Sequence, residues 1–308
     1  MCAAQKKGSS VMLRCLITIG YVLTAALTLA HAAEGVRHFD NDKDGKTDQW
    51  EYYRDNTLLR VESDRNRDGR ADEWPFYEHG KPARAEFDLD GDGKVNQREF
   101  YDAEGTVQRV EVDRDGDGSM EQRLFYAPGK TLLRAEVDDD GDGQADQWHA
   151  FKDGQLRTVT LDADRDGRPD QWHHYQDGAV NKVEQDQDGD GKVDRIVHYE
   201  APGRIAEIWD NLDAAGQPHA RMIYEGGTRV RGEFDTTGTG QVNQWLFYDA
   251  NGNVIRAEHD QNADSRPDQW EHFTAGNKEP DKVERDTNGD GKADAVWEKG
   301  ATKGRRQR

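Results

Sequence analysis

The sequence predicts an all-β fold: an elongated antiparallel array of β-hairpins with calcium loops along one edge. A unit of 24 to 26 residues recurs eleven times, and each unit combines an aspartate loop with two strand patterns, as repeat architectures do. Two strands per unit, at about 4.8 Å per strand, give a ribbon on the order of 100 Å long. Because open twisted sheets rarely exceed about ten strands, we expect a solenoid or superhelix, with a β-propeller as the alternative.

Each unit begins at the aspartate that opens its loop. The starts are Asp40, Asp64, Asp88, Asp113, Asp138, Asp162, Asp186, Asp210, Asp235, Asp260 and Asp286. These units assign residues 40–298 to an eleven-unit repeat domain, with a short lead at 33–39 and a basic tail at 299–308. Only 33% of residues are hydrophobic and 34% are charged. A fold with so small a core needs another source of stability, and bound metal is one.

Residues 1–32 have the pattern of a secretory signal peptide. Three cations precede an apolar run from Cys15 to Ala30, and an Ala-x-Ala cleavage motif ends at Ala32. We therefore expect a periplasmic or secreted protein with no membrane span in its mature chain, whether translation starts at Met1 or Met12. Both cysteines lie in this segment, so disulfides cannot stabilise the mature protein.

The charge of the chain argues against nucleic acid as a partner. The net charge is −20, and removal of the signal peptide would make it −23; so acidic a surface repels phosphate. The sequence contains no arrangement of nucleophile, base and orienting group, so we do not expect an enzyme. It predicts a structural or interaction module, with a calcium buffer as an alternative, and it leaves a protein or glycan partner open.

The first strand of a unit is predicted from the pattern Trp-x-aromatic-aromatic, which is seen at Trp50–Tyr53, Trp74–Tyr77, Trp172–Tyr175 and Trp245–Tyr248. Aromatic residues favour strands, and we expect them to pack along the sheet; a carbohydrate-stacking platform is the alternative. Histidines at equivalent positions are expected to be surface strand residues rather than metal ligands, because no fixed spacing recurs. They are His149, His173, His174, His198 and His272.

Tight turns and a second, alternating strand complete each unit. In Leu133–Val137, apolar residues alternate with an Arg/Glu pair, which favours a strand with two different faces. The turns before the second strands are predicted from dipeptides that adopt positive φ. They are His79-Gly80, Asp153-Gly154, Asp177-Gly178, Gly226-Gly227 and Asn251-Gly252.

Nine loops carry oxygen donors at loop positions 1, 3, 5 and 9, with Gly usually at position 6. Calcium takes six to eight oxygen ligands at about 2.3–2.6 Å, and alternate side chains of such a loop converge on one point. The predicted calcium ligands are Asp40, Asp42, Asp44 and Asp48; Asp64, Asn66, Asp68 and Asp72; Asp88, Asp90, Asp92 and Asn96; Asp113, Asp115, Asp117 and Glu121; Asp138, Asp140, Asp142 and Asp146; Asp162, Asp164, Asp166 and Asp170; Asp186, Asp188, Asp190 and Asp194; Asp260, Asn262, Asp264 and Asp268; and Asp286, Asn288, Asp290 and Asp294.

These loops are too acidic to be turns alone. Aspartate and glycine also mark ordinary turns, but a turn does not need three alternating carboxylates, which repel one another without a cation. The ligand positions hold 32 carboxylates, about half of the 62 in the chain. Nine calcium ions would bring the net charge from −23 to −5.

The loops resemble EF-hand calcium loops, and their tandem use is similar to thrombospondin type 3 repeats. The hairpins resemble bacterial MORN-like and YD-type repeats. The EF-hand resemblance implies a bidentate Glu at position 12, which only Glu51, Glu99 and Glu271 provide, and it does not extend to flanking helices. The Glu that stands two residues before many loops, such as Glu62, is expected to pair with Arg rather than to bind metal.

Two units depart from the loop pattern. The Asp210 unit has Leu212 and Ala214 at positions 3 and 5, and the Asp235 unit has Thr237 and Thr239 there. We expect both units to keep their strands and to lack metal.

Overall fold

A computed structural model of the chain describes residues 34–213 and 215–300, which form a single antiparallel sheet of 22 strands. The predicted signal peptide and residues 301–308 of the basic tail lie outside the described residues. No helix within the described part is long and apolar enough to cross a membrane.

The 22 strands alternate between two sets of eleven. A strand of the first set runs into a connection at one edge of the sheet, which we call the loop edge, and the strand of the second set that comes after it runs away from that edge. The strands that run into the loop edge are β1 (Glu34–Phe39), β3 (Thr57–Ser63), β5 (Lys81–Phe87), β7 (Val107–Val112), β9 (Thr131–Val137), β11 (Gln155–Leu161), β13 (Ala179–Gln185), β15 (Arg204–Leu212), β17 (Thr228–Phe234), β19 (Val254–His259) and β21 (Lys282–Arg285). The strands that run away from it are β2 (Gln49–Arg54), β4 (Glu73–Glu78), β6 (Gln97–Tyr101), β8 (Gln122–Ala127), β10 (Gln147–Lys152), β12 (Gln171–Gln176), β14 (Arg195–Ala201), β16 (Pro218–Glu225), β18 (Gln244–Tyr248), β20 (Gln269–His272) and β22 (Ala295–Glu298).

The strands form a meander in which each pairs with its neighbours in sequence. Among the described residues, β1 pairs only with β2 and β22 only with β21, so the sheet is open. This confirms the hairpin array. The β-propeller alternative is wrong, because a propeller needs separate blades closed into a ring.

The carboxylate loops lie along one edge of the sheet. In a meander, successive connections alternate between the two edges, and every carboxylate loop follows an odd-numbered strand. The short hairpin turns therefore lie along the opposite edge. This is the arrangement that the repeat predicts.

Four of the five predicted turns have two left-handed residues in succession. In Asp177-Gly178, for example, φ is 51° and 80°, as hairpin turns of type I′ require. The prediction for Asn251-Gly252 was wrong in detail, because Asp249 and Asn253 close a longer turn through a 2.9 Å backbone hydrogen bond. The Asp55-Asn56 turn was not predicted; it is left-handed at both residues without glycine, since Asp and Asn tolerate this region.

A β-bulge follows nearly every turn. Between β10 and β11 the register shifts so that Phe151 pairs with Leu156 while Ala150 pairs with Thr158. The same shift recurs in hairpins from β2–β3 to β18–β19. Bulges bend a strand and increase its right-handed twist, which allows a long sheet to coil rather than flatten.

The two faces of the sheet differ in burial. Every buried strand residue of the described chain lies on one face, which we call the packed face. Its core consists of small and branched side chains, in clusters such as Val110–Leu124–Ala135 and Val183–Val197–Ile208. No large side chain in the described part is fully buried. A core this thin leaves much of the stability to other interactions.

The opposite face, the tryptophan face, carries seven half-buried tryptophans in the described chain, six at equivalent positions of first strands and Trp209 on the second strand β15. They are Trp50, Trp74, Trp148, Trp172, Trp209, Trp245 and Trp270. A parallel row alternates aromatic rings with cations, and Arg109 lies 3.9 Å from the centroid of Phe100. The aromatic stripe thus packs laterally on the sheet surface and remains partly exposed.

The Asp210 unit does not form a carboxylate loop. Asp210 is a strand residue paired with Ala220, and Leu212 pairs with Pro218, so only a tight turn at 213–217 separates β15 from β16. Asp213 holds this turn by accepting the backbone N–H groups of Ala215 and Gln217, both at 2.8 Å. Loss of the loop is compensated by longer strands.

Candidate metal centre

The aspartate at loop position 1 organises each carboxylate loop. In the Asp138 loop, Oδ1 of the buried Asp138 accepts the N–H of Gly141 at 2.7 Å, and Oδ2 accepts that of Gly143 at 2.8 Å. Both glycines are left-handed, with φ of 77° and 91°. These bonds satisfy loop N–H groups that the sheet cannot reach. Position 1 is therefore structural as well as a candidate ligand.

Position 4 is a second left-handed point that the sequence pattern did not reveal. It is glycine in five of the nine loops, but Lys43, Arg67, Arg165 and Ala263 occupy it with φ between 61° and 66°. The Gly-Asp-Gly triplet of the five glycine-containing loops is the signal in the sequence that could have indicated this left-handed position. Non-glycine residues in this region carry strain.

The side chains at positions 3, 5 and 9 hold the loop through short Asx-type bonds. In the Asp138 loop, Asp140 accepts the N–H of Asp142 at 3.2 Å, Asp142 that of Gln144 at 2.7 Å, and Asp146 that of Asp139 at 2.6 Å. Asparagines stand in without changing the pattern, since Asn66 accepts the N–H of Asp68 at 2.8 Å.

Carboxylate oxygens from several predicted positions converge. Within each of five groups, the candidate ligand atoms lie within 4.8 Å of one another. The groups are Asp40, Asp42 and Asp48; Asp88, Asp90 and Asp92; Asp113, Asp115, Asp117 and Glu121; Asp138, Asp140 and Asp146; and Asp162, Asp164 and Asp170. The aspartate at position 5 accepts the backbone N–H at position 7 at 2.7–2.8 Å, both in Asp92 and Asp117, which belong to these groups, and in Asp44, Asp142 and Asp166, which do not.

The Asp113 loop is the most complete of these groups. It alone is closed by a glutamate, and its four carboxylates form one cluster. Glu121 Oε2 accepts the N–H of Arg114 at 2.8 Å. Its other oxygen, Oε1, is buried and has no hydrogen-bond partner in the described structure. A buried anionic oxygen without a partner is costly, and a cation among these four carboxylates would satisfy it.

Glutamate at position 12 is committed to the sheet rather than to the loop. Position 12 lies inside the following strand, on the packed face. Glu51 accepts the amide of Gln49 at 3.0 Å and the hydroxyl of Tyr53 at 2.6 Å. Burial and these contacts with Glu51 raise the pKa of Tyr53 to about 12. Glu99 has equivalent partners in Gln97 and Tyr101. The bidentate ligand of an EF-hand is thus not reproduced, because a strand replaces the helix.

The glutamates that precede the loops form the expected ion pairs. Each lies on the tryptophan face beside the cation two residues earlier, as Glu62 does with Arg60 at 2.6 Å and Glu184 with Lys182 at 2.8 Å. The same pairing holds for Glu86, Glu111 and Glu136. These carboxylates face away from the loops.

Cationic side chains link neighbouring loops along the edge. Arg67 lies 3.2 Å from Asp42, and Arg165 lies 2.9 Å from Asp140, each reaching position 3 of the preceding loop. Lys94 donates to the carbonyl of Gly116 at 2.7 Å. At the Asp42 and Asp140 sites a guanidinium therefore already offsets part of the negative charge.

The Asp235 loop keeps its shape without the additional carboxylates. Asp235 accepts the N–H groups of Gly238 at 2.8 Å and Gly240 at 2.6 Å. At positions 3 and 5, the hydroxyls of Thr237 and Thr239 lie 3.1 Å apart and share a hydrogen bond. Its donor set contains one carboxylate, so it fits a divalent cation poorly.

The histidines occupy strand positions, as predicted, but they are half-buried rather than surface residues. His149 and His173 lie on the packed face, where desolvation lowers the pKa of each. His174 and His272 lie on the tryptophan face, at 2.6 Å from Glu184 and 2.8 Å from Glu284. All of them are outside the carboxylate loops.

Comparisons with known proteins do not place the chain in a family. No family model and no curated protein matches it. Among solved structures, a mutant of S. aureus TarM in complex with Fondaparinux, alpha-GlcNAc-glycerol and UDP has a TM-score of 0.27 and 13% identity, over 36% of this chain and 21% of that one. TcdB2-TccC3 without its hypervariable C-terminal region has a TM-score of 0.23 and 12% identity, over 82% of this chain and 13% of that one. Scores this low establish neither a common fold nor a function.

Proposed function

We propose that the nine carboxylate loops bind calcium and that calcium stabilises the array, which acts outside the cytoplasm as a structural or interaction module without catalytic activity. The observation that carries this proposal is the Asp113 loop, where four carboxylates converge and Glu121 Oε1 is buried without a partner. Oxygen-only donors favour hard cations, and flexible loops with several carboxylates favour calcium over magnesium.

The loop fold does not require this charge. The Asp235 loop makes the same position-1 hydrogen bonds with threonines at positions 3 and 5. The other loops add carboxylates that repel one another, although the position-1 hydrogen bonds form without them. A bound cation provides the physical reason for their presence.

Calcium counting tests the proposal. Equilibrium dialysis of the purified protein should give about nine calcium ions per chain, in the affinity range of about 10⁻⁴–10⁻³ M that is typical of extracellular modules. Glu121→Gln should weaken one site, whereas the matched change Glu111→Gln, on the tryptophan face, should leave calcium binding unchanged. Binding of fewer than two ions per chain at millimolar calcium would contradict the proposal.

Export is a separate element of the proposal, supported by the sequence of residues 1–32. Fractionation of cells that express the full chain should place a shortened product in the periplasm or the medium. Recovery of the uncleaved chain in the cytoplasm would refute this element while leaving calcium binding unaffected.

Glycan binding is a second candidate, favoured by the tryptophan face. Trp148 and Trp172 both pair with Thr160 on the strand between them, so they lie two strands apart, about 10 Å. Both are half-buried, which leaves part of each ring available for stacking. Pull-down on insoluble neutral polysaccharides should weaken with Trp172→Ala and not with Trp297→Ala, which lies on the other face. Equal binding by both variants, or none by the wild type, would eliminate this candidate.

A further inference from the structure

The sheet begins and ends in complementary halves of a hairpin. β1 precedes the Asp40 loop, as the second strand of every hairpin precedes a loop. β22 follows the Asp286 loop, as first strands do. Within the array a first strand pairs with the second strand of its own hairpin, as β2 does with β3. β22 is therefore a first strand without its second strand among the described residues. β1 is a strand of that missing kind, and it could pair with β22 in the antiparallel direction.

Exposed apolar side chains are concentrated at these two ends. Of the seven large hydrophobic residues that are exposed in the described chain, four lie in the terminal strands. They are Val36, Phe39, Val296 and Trp297. Solenoids usually end in repeats with a polar outer surface. Here the two end strands expose large apolar side chains, of the kind that neighbouring strands cover in the middle of the array.

Trp297 illustrates what a missing neighbour strand does. It stands at loop position 12 on the packed face, the position that Val197 holds in β14. Val197 has paired strands on both sides and is 8% exposed, whereas Trp297 is paired on one side and is 53% exposed. Another strand beside β22 would cover it.

The register of the internal hairpins defines how the two ends would meet. In β2–β3, Gln49 pairs with Ser63 and Glu51 with Val61. The same register would pair Ala295 of one molecule with Phe39 of the next, and Trp297 with Arg37. The second of these pairs would place a cation beside an aromatic ring on the same face of the sheet. Pairing would also satisfy the outward N–H and C=O groups of both edge strands.

We propose that this protein associates end to end with a second copy of itself, with β22 of one molecule adding to β1 of the next. The contact is heterologous, so repeated addition gives open chains rather than closed dimers. A single strand pair forms a small interface, and small interfaces are weak and dependent on concentration. This inference is independent of glycan binding and requires only that the array be folded.

Sedimentation velocity on the full chain in calcium, over a wide range of concentration, tests the proposal. The mean sedimentation coefficient should rise with concentration for the wild type. Val36→Lys blocks the β1 end and Trp297→Lys the β22 end, because a lysine on an edge strand opposes pairing. Each variant alone should remain monomeric, with the wild-type circular dichroism spectrum.

Mixing the two variants gives the decisive result. Each retains the end that the other has lost, so the mixture should form dimers and no longer species. Leu133→Lys is the matched control, since Leu133 is 47% exposed in the middle of the array and Val36 is 46% exposed; it should associate like the wild type. A monomeric wild type at every concentration would overturn the proposal. So would a monomeric mixture or a monomeric Leu133→Lys variant.

Discussion

The Asp113 and Asp235 loops share one backbone frame and differ in charge. In both, the position-1 aspartate accepts N–H groups at positions 4 and 6 within 2.6–2.8 Å, and both of those residues are left-handed glycines. At positions 3, 5 and 9 the first loop has Asp115, Asp117 and Glu121, and the second has Thr237, Thr239 and Asn243. One aspartate, an oxygen acceptor at position 9 such as Asn243 and two left-handed residues thus build the loop without the full set of carboxylates.

The largest local effect is expected from loss of the shared aspartate. Asp113→Ala and Asp235→Ala each remove the charged acceptor of two loop N–H groups, and a hydrogen bond to a charged group contributes roughly 1.5–3 kcal/mol. Urea unfolding in saturating calcium should show both losses, and the loss for Asp113→Ala should be larger because a metal ligand also disappears. A loss of stability for Asp113→Ala alone would mean that position 1 only binds metal.

Transfer of the three carboxylates at positions 3, 5 and 9 of the Asp113 loop into the Asp235 loop should create a calcium site there. Thr237→Asp, Thr239→Asp and Asn243→Glu together give the Asp235 loop the donors of the Asp113 loop. We expect one additional calcium ion per chain and, at tenfold excess over Kd, about 1.4 kcal/mol of added stability. In low calcium the same variant should be less stable than the wild type, because the new carboxylates repel one another. Calorimetric titration and urea unfolding would measure both effects.

A control for this transfer removes the hydroxyls without adding charge. Thr237→Ala with Thr239→Ala should bind no additional calcium and should lose stability equally at low and high calcium. Gain of a site by the control, or no gain by the charged variant, would show that the loop charge does not determine binding.

Much of this comparison was visible in the sequence. Alternating aspartates predicted the loops, and the strand patterns predicted the meander and the loop edge. Position 4 was missed, because Lys43 and Arg67 give no sign in sequence that their backbone is left-handed. The Asp210 loop was expected and is absent: Leu212 pairs with Pro218 and continues the strand ladder, a pairing that the loop pattern in the sequence did not indicate. Contacts between loops, such as Arg165 with Asp140, depend on the register of the whole sheet.

Substitution of the position-6 glycine should affect both loops alike. Gly118 and Gly240 have φ of 104° and 80°, with no atom near enough to obstruct a methyl group. Alanine at either position should cost roughly 1 kcal/mol from backbone strain alone. Urea unfolding in saturating calcium should give similar losses for Gly118→Ala and Gly240→Ala. A loss confined to Gly118→Ala would point to distortion of a metal site instead.

Acid should weaken the Asp235 loop by protonating its position-1 aspartate. Burial raises the pKa of Asp235, but the N–H groups of Gly240 and Thr237 and the Thr237 hydroxyl outweigh it and hold the pKa at about 2, below the ordinary 3.8. Its contribution to stability is therefore complete above pH 3.8 and is lost as the pH falls through about 2. The urea midpoints of the wild type and Asp235→Asn should converge over that interval. A constant difference down to pH 2 would contradict the assigned shift.

The most direct test of calcium-dependent stability is a thermal melt followed by far-ultraviolet circular dichroism, in chelator and in millimolar calcium. The proposed function predicts a loose chain with weak strand signal in chelator, and a strand spectrum with a cooperative, higher Tm in calcium. Identical spectra and identical Tm values in the two conditions would contradict it.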